Sequence, residues 1–113
     1  GVPAGRGAQP EGTVMSMERL IREEARLILL RALAGEVNET LNSSLLTEQL
    51  RTFGIKRERA WVHGELAYLA EMGAISLMAA GSVKVATLAG LGRRHLDREA
   101  VIEGVKRPSR PEA

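Results

Sequence analysis

The side chains best suited to binding chemistry in this chain are basic, and they form two groups. The middle of the chain carries Lys56, Arg57 and Arg59, with Lys84 farther on, and the end carries Lys106, Arg107 and Arg110. Lysine and arginine bind phosphate groups, and arginine also binds base edges in the major groove of DNA. These seven residues are therefore candidate contacts to double-stranded DNA.

The charge balance limits this interpretation. The pI is near 9.5, yet the formal net charge is only +2. Residues 35–72 hold four basic side chains against six glutamates, whereas residues 90–113 hold six basic side chains against four acidic ones. Carboxylates near phosphates oppose binding. The central basic group therefore lies in an acidic segment, and positive charge is concentrated late in the chain.

Trp61, the only tryptophan, and Tyr68 are seven residues apart, so they share one side of a helix. Two interpretations are open. The two rings pack within the fold against a β-hairpin, or they form a contact patch for another protein. Leu27 and Leu30 are further candidates for protein contacts, because they belong to one of two apolar stripes on an earlier helix.

Composition argues against several classes of function. The chain has no cysteine, so disulfides, thiolate metal sites and cysteine nucleophiles are excluded. His63 and His95 lack neighbours at metal-ligand spacing, and we expect both to be surface or packing residues. No phosphate-binding loop or catalytic serine motif is present, so we expect no enzyme, no cofactor and no metal. Apolar runs far shorter than ~20 residues predict no membrane partner and a cytoplasmic protein.

A helical framework must position these residues. Residues 1–16 are rich in glycine, proline and alanine and are predicted to be a disordered leader or an expression remnant. The first helix is predicted over residues 17–34, with Ser16 as its N-cap and Gly35 as its end. Its two apolar stripes are either both buried in one fold, or one of them forms a homodimer seam.

Residues 43–88 have the element order of a winged helix-turn-helix, followed by a short last helix. The predicted elements are a helix from Asn42 or Ser43 to Phe53, a helix over 56–72, strands over 74–78 and 83–88, and a helix over 90–96. The fold class is thus mainly α with a small β-hairpin. The winged-helix domain is predicted over residues 17–98 and a flexible basic tail over 99–113.

Six short segments carry a resemblance to a known family. They are residues 41–42 with Leu45 and Leu46, 53–54, 66–69, 73–75, 85–88 with Gly92, and 104–108. Together they resemble a small winged-helix family of Mu-like phages and prophages, over residues 17–109. Members are commonly labelled ArsR-like regulators, and their genes tend to lie near DNA-packaging and head genes. The general winged-helix ending Leu-Thr-x-x-Gly appears here as residues 88–92 with Ala89 in place of the threonine, which removes the cap of the last helix.

These observations lead to two functional hypotheses. The first is a noncatalytic, homodimeric DNA-binding protein in a bacterial host, acting in transcription regulation or as a DNA-packaging accessory. The third predicted helix and the wing would touch the DNA, and the basic tail would add phosphate contacts. Apart from Arg57, however, the outward face of the third predicted helix offers only Ala60, Trp61, Gly64 and Ala67. The alternative is therefore a protein-interaction module that binds another phage protein and reads no DNA sequence.

Overall fold

A long first helix precedes a small sheet and three shorter helices. The structure is a computed structural model that describes residues 4–110, with the side chains of residues 16–110. The elements over these residues are α1 (Ala4–Ala34), β1 (Thr40–Asn42), α2 (Ser43–Thr52), α3 (Arg59–Glu71), β2 (Ile75–Ala80), β3 (Val83–Leu88) and α4 (Gly90–Leu96). This layout of helices around a three-stranded antiparallel sheet is consistent with a winged helix.

The middle of α1 is the centre of the hydrophobic core. Ala25, Leu27, Leu29, Leu30 and Leu33 are each at most 2% exposed. A helix that is apolar on several sides must be covered on several sides, and α1 contacts α2, α3, α4 and the sheet. The assignment of Leu27 and Leu30 as protein contacts is therefore wrong, because the chain's own core covers both side chains.

The start of α1 differs from the prediction. The helix begins at Ala4 rather than at residue 17, and Ser16 is an exposed residue inside it rather than an N-cap. Serine at an exposed position lowers helix stability only slightly, so it need not mark a helix end. Residues 4–16 of the predicted leader are thus helical, and residues 1–3 lie outside the described residues. That residues 1–16 form a separate leader stays a prediction.

The helix-turn-helix forms close to its predicted position. The side chain of Asn42 caps α2 by accepting a hydrogen bond from the Leu45 amide at 2.9 Å. Gly54, at φ +87°, makes the turn in a conformation that glycine adopts without strain. The third helix begins at Arg59, three residues later than predicted, since Glu58 is still extended and its carbonyl accepts the first helical bond from Val62.

The sheet has one more strand than the predicted hairpin. β2 and β3 pair from Ile75 with Leu88 to Ala80 with Val83. β1 joins the other edge of β3, where Thr40 pairs with Thr87. Sequence reasoning assigned β1 to a polar connection, because three residues are too few to show the alternating pattern of a strand. The fold class is corrected accordingly, from a two-stranded hairpin to a three-stranded sheet.

The last helix forms where predicted, although Ala89 supplies no side-chain cap. Gly92 explains how α4 fits. A Cβ atom at this position would collide with the carbonyl oxygen of Ala74 and with the side chain of Leu88. Glycine therefore lets α4 lie directly against the start of β2.

The C-terminal segment, residues 97–110, returns to α1. Ile102 and Val105 are buried in the core, and the Lys106 amide donates to the Glu23 carbonyl of α1 at 3.2 Å. Buried His95 accepts the Ile102 amide at Nδ1 (3.1 Å), so its Nε2–H donates to the Lys106 carbonyl at 2.9 Å. The prediction of a flexible tail from residue 99 is wrong as far as Pro108, because these apolar and backbone contacts anchor it. Residues 111–113 lie outside the described residues.

Candidate nucleic-acid interface

The predicted DNA-binding helix, α3, has two flanks with opposite surroundings. The α1 flank comprises Arg57, Trp61, Glu65 and Tyr68, which face α1 and the C-terminal segment. The hairpin flank comprises Arg59 and His63 of α3 together with Ser43 at the start of α2 and Lys84 on β3. Between them lies a solvent face of small exposed residues, Ala60, Gly64 and Ala67.

Arg57 is held against α1 by an ion pair. Its two terminal nitrogens donate to the Glu18 carboxylate at 3.2 and 3.1 Å, and its guanidinium lies 4.8 Å from the centre of the Trp61 ring. The hydrogen bonds from Arg57 lower the pKa of Glu18 below its ordinary value. The side chain expected to read a base is therefore already paired with a carboxylate.

Glu65 and Arg26 form a buried ion pair at the centre of the α1 flank. Glu65 is 5% exposed, and its carboxylate accepts from Arg26 Nε at 2.7 Å. Arg26 also donates to the Gly104 carbonyl at 2.7 Å and lies 3.8 Å from the centre of the Tyr68 ring. The Tyr68 hydroxyl donates to the Glu103 carbonyl at 2.6 Å. This network, which joins α1, α3 and the C-terminal segment, was not predicted, because no local sequence pattern pairs residues so far apart along the chain.

The two aromatic rings pack within the fold, but not against the hairpin as predicted. Trp61 and Tyr68 face α1 and the C-terminal segment, and both are half-buried. The indole Nε1 of Trp61 is buried near Glu18, and this proximity helps to lower the pKa of that carboxyl. The indole N–H makes no hydrogen bond of good geometry to any of residues 16–110. The seven-residue spacing predicted that the two rings share one side of α3. It did not predict which element that side packs against.

Ser43 organises the hairpin flank. This first residue of α2 is fully buried, and its Oγ lies 2.7 Å from His63 Nε2 and 2.9 Å from the Lys84 amide nitrogen, which donates to it. On the next residue of α2, the Ser44 hydroxyl accepts from Arg59 Nη1 at 3.0 Å. The start of α2, one side of α3 and strand β3 therefore meet at one place, with Arg59, His63 and Lys84 around it.

Positive charge dominates the hairpin flank. Burial lowers the pKa of His63 below its ordinary value, and the charges of Lys84 and Arg59 lower it further. Within residues 16–110, neither Arg59 nor Lys84 forms a salt bridge with a carboxylate. Glu48 and Glu58 border a surface depression beside Arg59. The flank thus presents positive charge that no intramolecular ion pair neutralises.

Comparison with known proteins gives a phage relative. Over 94 residues, the chain is 33% identical to the uncharacterized protein gp26 of Escherichia phage Mu, which is 83% of this chain and 96% of that protein. This chain belongs to the gp26 family. No protein-family model and no solved structure matches it. The phage association that the resemblance implied is thus confirmed, while the ArsR-like label stays a prediction.

The other predicted DNA contacts of this gp26-family chain lie apart from the hairpin flank. Lys56 is exposed in the turn before α3, next to Arg57 and Trp61. In the C-terminal segment, Lys106 Nζ pairs with Glu24 of α1 at 2.7 Å, whereas Arg107 and Arg110 are exposed. Of the seven candidates, Arg59 and Lys84 lie around the start of α2, and Arg57 borders the same surface depression as Arg59.

Two members of the hairpin flank were missed as binding residues. Ser43 entered the sequence reasoning only as a helix start, and His63 only as a surface or packing residue. One signal was available: His63 follows Arg59 by four residues, so the two side chains share one side of α3. The contribution of β3 was not readable, because it depends on how the hairpin folds back onto α2.

Metal binding and membrane insertion find no support in the described part of the chain. Its histidine, aspartate and glutamate side chains form no group of three that could hold a metal ion. None of its helices has a stretch long and apolar enough to cross a bilayer.

Proposed function

We propose that this chain is a noncatalytic winged-helix protein that binds the phosphate backbone of duplex DNA, as a phage transcription regulator or DNA-packaging accessory. The observation that carries the proposal is the hairpin flank, where Arg59 and Lys84 lie around the start of α2 and neither pairs with a carboxylate of residues 16–110. Helix starts and basic side chains are the usual phosphate-binding groups of DNA-binding proteins.

The arrangement of elements suits such contacts. In helix-turn-helix proteins the second helix of the pair enters the major groove with its N-terminal residues, while neighbouring elements touch the backbone. Arg59 is the first residue of α3, and Lys84 lies on the hairpin that occupies the place of a wing. Both cations would therefore meet phosphates beside the groove.

The same geometry argues against strong sequence reading. Base recognition requires side chains that reach the groove edge with hydrogen-bonding groups. The solvent face of α3 offers Ala60, Gly64 and Ala67, and Arg57 is paired with Glu18. We therefore expect binding that is nearly independent of sequence and sensitive to salt, with Arg107 and Arg110 adding phosphate contacts.

Binding of a mixed-sequence DNA duplex across a salt series tests this proposal. We expect the wild-type chain to bind at low salt, and the double variant Arg59→Ala/Lys84→Ala to bind at least about tenfold more weakly, since each lost charged contact contributes roughly 1 kcal/mol. Arg19→Ala, which removes an exposed cation on α1, is the matched control and should bind like wild type. No detectable wild-type binding at low salt would overturn the proposal.

A second candidate, a protein-interaction module, is favoured by an apolar groove between α1 and the helix-turn-helix. Leu20 and Phe53 are 54% and 60% exposed, and together with Ile21, Ile28 and Ile55 they line a groove of about 270 Å³. Clustered exposed apolar side chains mark contact sites. We propose that a second copy of the chain occupies this groove, because dimers are the usual DNA-binding form of helix-turn-helix proteins.

Sedimentation of the wild-type chain and of Phe53→Ser tests the homodimer. We expect a dimer that Phe53→Ser converts to a folded monomer, with Val37→Ser as the matched control at another exposed apolar position. A wild-type monomer at every concentration would contradict the homodimer and leave another phage protein as the alternative partner.

A further inference from the structure

We propose that the hairpin flank holds one phosphate group among Arg59, His63 and Lys84, and that His63 takes up a proton when the phosphate binds. The inference rests on the proposed function, because the phosphate would be that of a DNA backbone. It adds a third phosphate-binding residue and a pH dependence that neither hypothesis from the sequence contained.

Buried Ser43 contacts His63 in the free protein. Ser43 Oγ accepts the Lys84 amide and lies 2.7 Å from His63 Nε2. Burial lowers the pKa of the His63 ring, and the charges of Lys84 and Arg59 lower it further, so its neutral form is favoured. The free protein thus holds a neutral histidine between two permanent cations.

The charged groups that act most strongly on His63 oppose its protonation. Lys84 on β3 and Arg59 on α3 repel a second charge there, and Ser43 on α2 supplies only a hydroxyl. Glu48 and Glu58 line the depression beyond Arg59, together with Arg51 and Arg57. The charge of Glu48 is partly neutralised, because its carboxylate pairs with Arg51 at 3.8 Å.

A bound phosphate reverses this balance. Its negative charge offsets those of Arg59 and Lys84, so a protonated His63 becomes favourable and its ring donates an N–H to a phosphate oxygen. Binding therefore takes up one proton, and by linkage the affinity must rise as the pH falls through the histidine range.

Duplex DNA binding measured at about pH 8 and about pH 6, on either side of the ordinary histidine value, tests the inference. We expect the wild-type chain to bind roughly fivefold more tightly at the lower pH, because phosphate binding raises the pKa of His63. His63→Gln keeps a polar partner for Ser43 but cannot titrate, so its affinity should not change with pH.

The outcomes separate this inference from the proposed function. Wild-type binding that is independent of pH, or an equal pH dependence in His63→Gln, would overturn the role of His63 and leave DNA binding intact. No binding at either pH in low salt would overturn both. Proton NMR titration gives a second readout: DNA should raise the pKa of His63.

Discussion

The two flanks of α3 carry the same type of residue and present opposite surfaces to solvent. On the α1 flank, Arg57 is paired with Glu18, and Arg26 reaches across from α1 to Glu65. On the hairpin flank, Arg59 bonds to a serine hydroxyl and pairs with no carboxylate within residues 16–110, and Lys84 adds a second positive charge. The α1 flank is thus a structural interface, whereas the hairpin flank is free to bind an anion. An arginine is available for binding only where the fold brings it no carboxylate.

The largest effect is expected from Glu65→Ala on the α1 flank. Arg26 is 12% exposed, so the variant leaves a nearly buried guanidinium without its carboxylate partner. Removing one member of a buried pair costs about 3–5 kcal/mol of the free energy of unfolding. Urea denaturation measures this loss, with Glu71→Ala, an exposed glutamate of the same helix, expected within about 0.5 kcal/mol of wild type. A loss for Glu65→Ala as small as that of the control would show that the α1 flank is not a structural interface.

A smaller loss is expected from Gly104→Ala, which disturbs the same network from the C-terminal segment. Gly104 has φ +83°, and a Cβ atom there would collide with the Tyr68 hydroxyl and approach Arg26. We expect about 1–3 kcal/mol of destabilisation in thermal or urea unfolding. Gly64→Ala is the matched control: its Cβ would meet nothing within 4 Å, so it should stabilise α3 by roughly 0.5–1 kcal/mol. Equal effects at the two glycines would contradict the packing of the C-terminal segment.

Glu18→Gln should make the α1 flank resemble the hairpin flank. It releases Arg57, which remains at the surface beside exposed Lys56. We expect duplex DNA to bind about two- to fivefold more tightly at low salt, with up to about one more counterion released in the salt dependence. An unchanged affinity would mean that Arg57 is too far from the bound DNA to contribute.

The smallest expected effects are changes in how the free energy of unfolding depends on pH. The two flanks affect different pH ranges. The pKa of His63 is lowered from 6.5 by burial and then by Lys84 and Arg59, so its stabilising contribution is complete above pH 6.5 and declines as pH falls below that value. The pKa of Glu18 is lowered from 4.5, chiefly by its hydrogen bonds to Arg57, so its contribution persists until the pH falls below 4.5. His63→Gln should therefore reduce the dependence of the free energy of unfolding on pH below pH 6.5, and Glu18→Gln should reduce it below pH 4.5. The reverse assignment would contradict the electrostatics of both flanks.

The helices and the hairpin were largely predictable from sequence, because their signals are local. Asn42 caps α2 and Gly54 follows it, and the apolar spacing of Val62, Leu66 and Leu69 gives the buried side of α3. The partners of charged residues were not predictable. Arg57 and Glu18 are 39 residues apart, as are Arg26 and Glu65, and no periodicity connects such positions.

The candidate site was therefore half predicted. Arg59 and Lys84 were identified by their charge and by their places in the helix-turn-helix and the wing. Ser43 and His63 were missed as binding residues, because their contribution arises only when β3 folds against α2. The contribution of the tail cations was overestimated for a similar reason. Ile102 and Val105 anchor the residues that precede Lys106, and Lys106 itself pairs with Glu24.

The most direct test of the difference between the flanks is duplex DNA binding by Arg59→Ala and Arg57→Ala, each compared with wild type across a salt series. Both variants remove one arginine near the start of α3, so the net charge changes equally. Arg59→Ala should weaken binding and lower the slope of log affinity against log salt by about 0.9, the loss of one phosphate contact, while Arg57→Ala leaves affinity and slope unchanged. Equal losses in the two variants, or a larger loss for Arg57→Ala, would contradict the assignment of DNA binding to the hairpin flank.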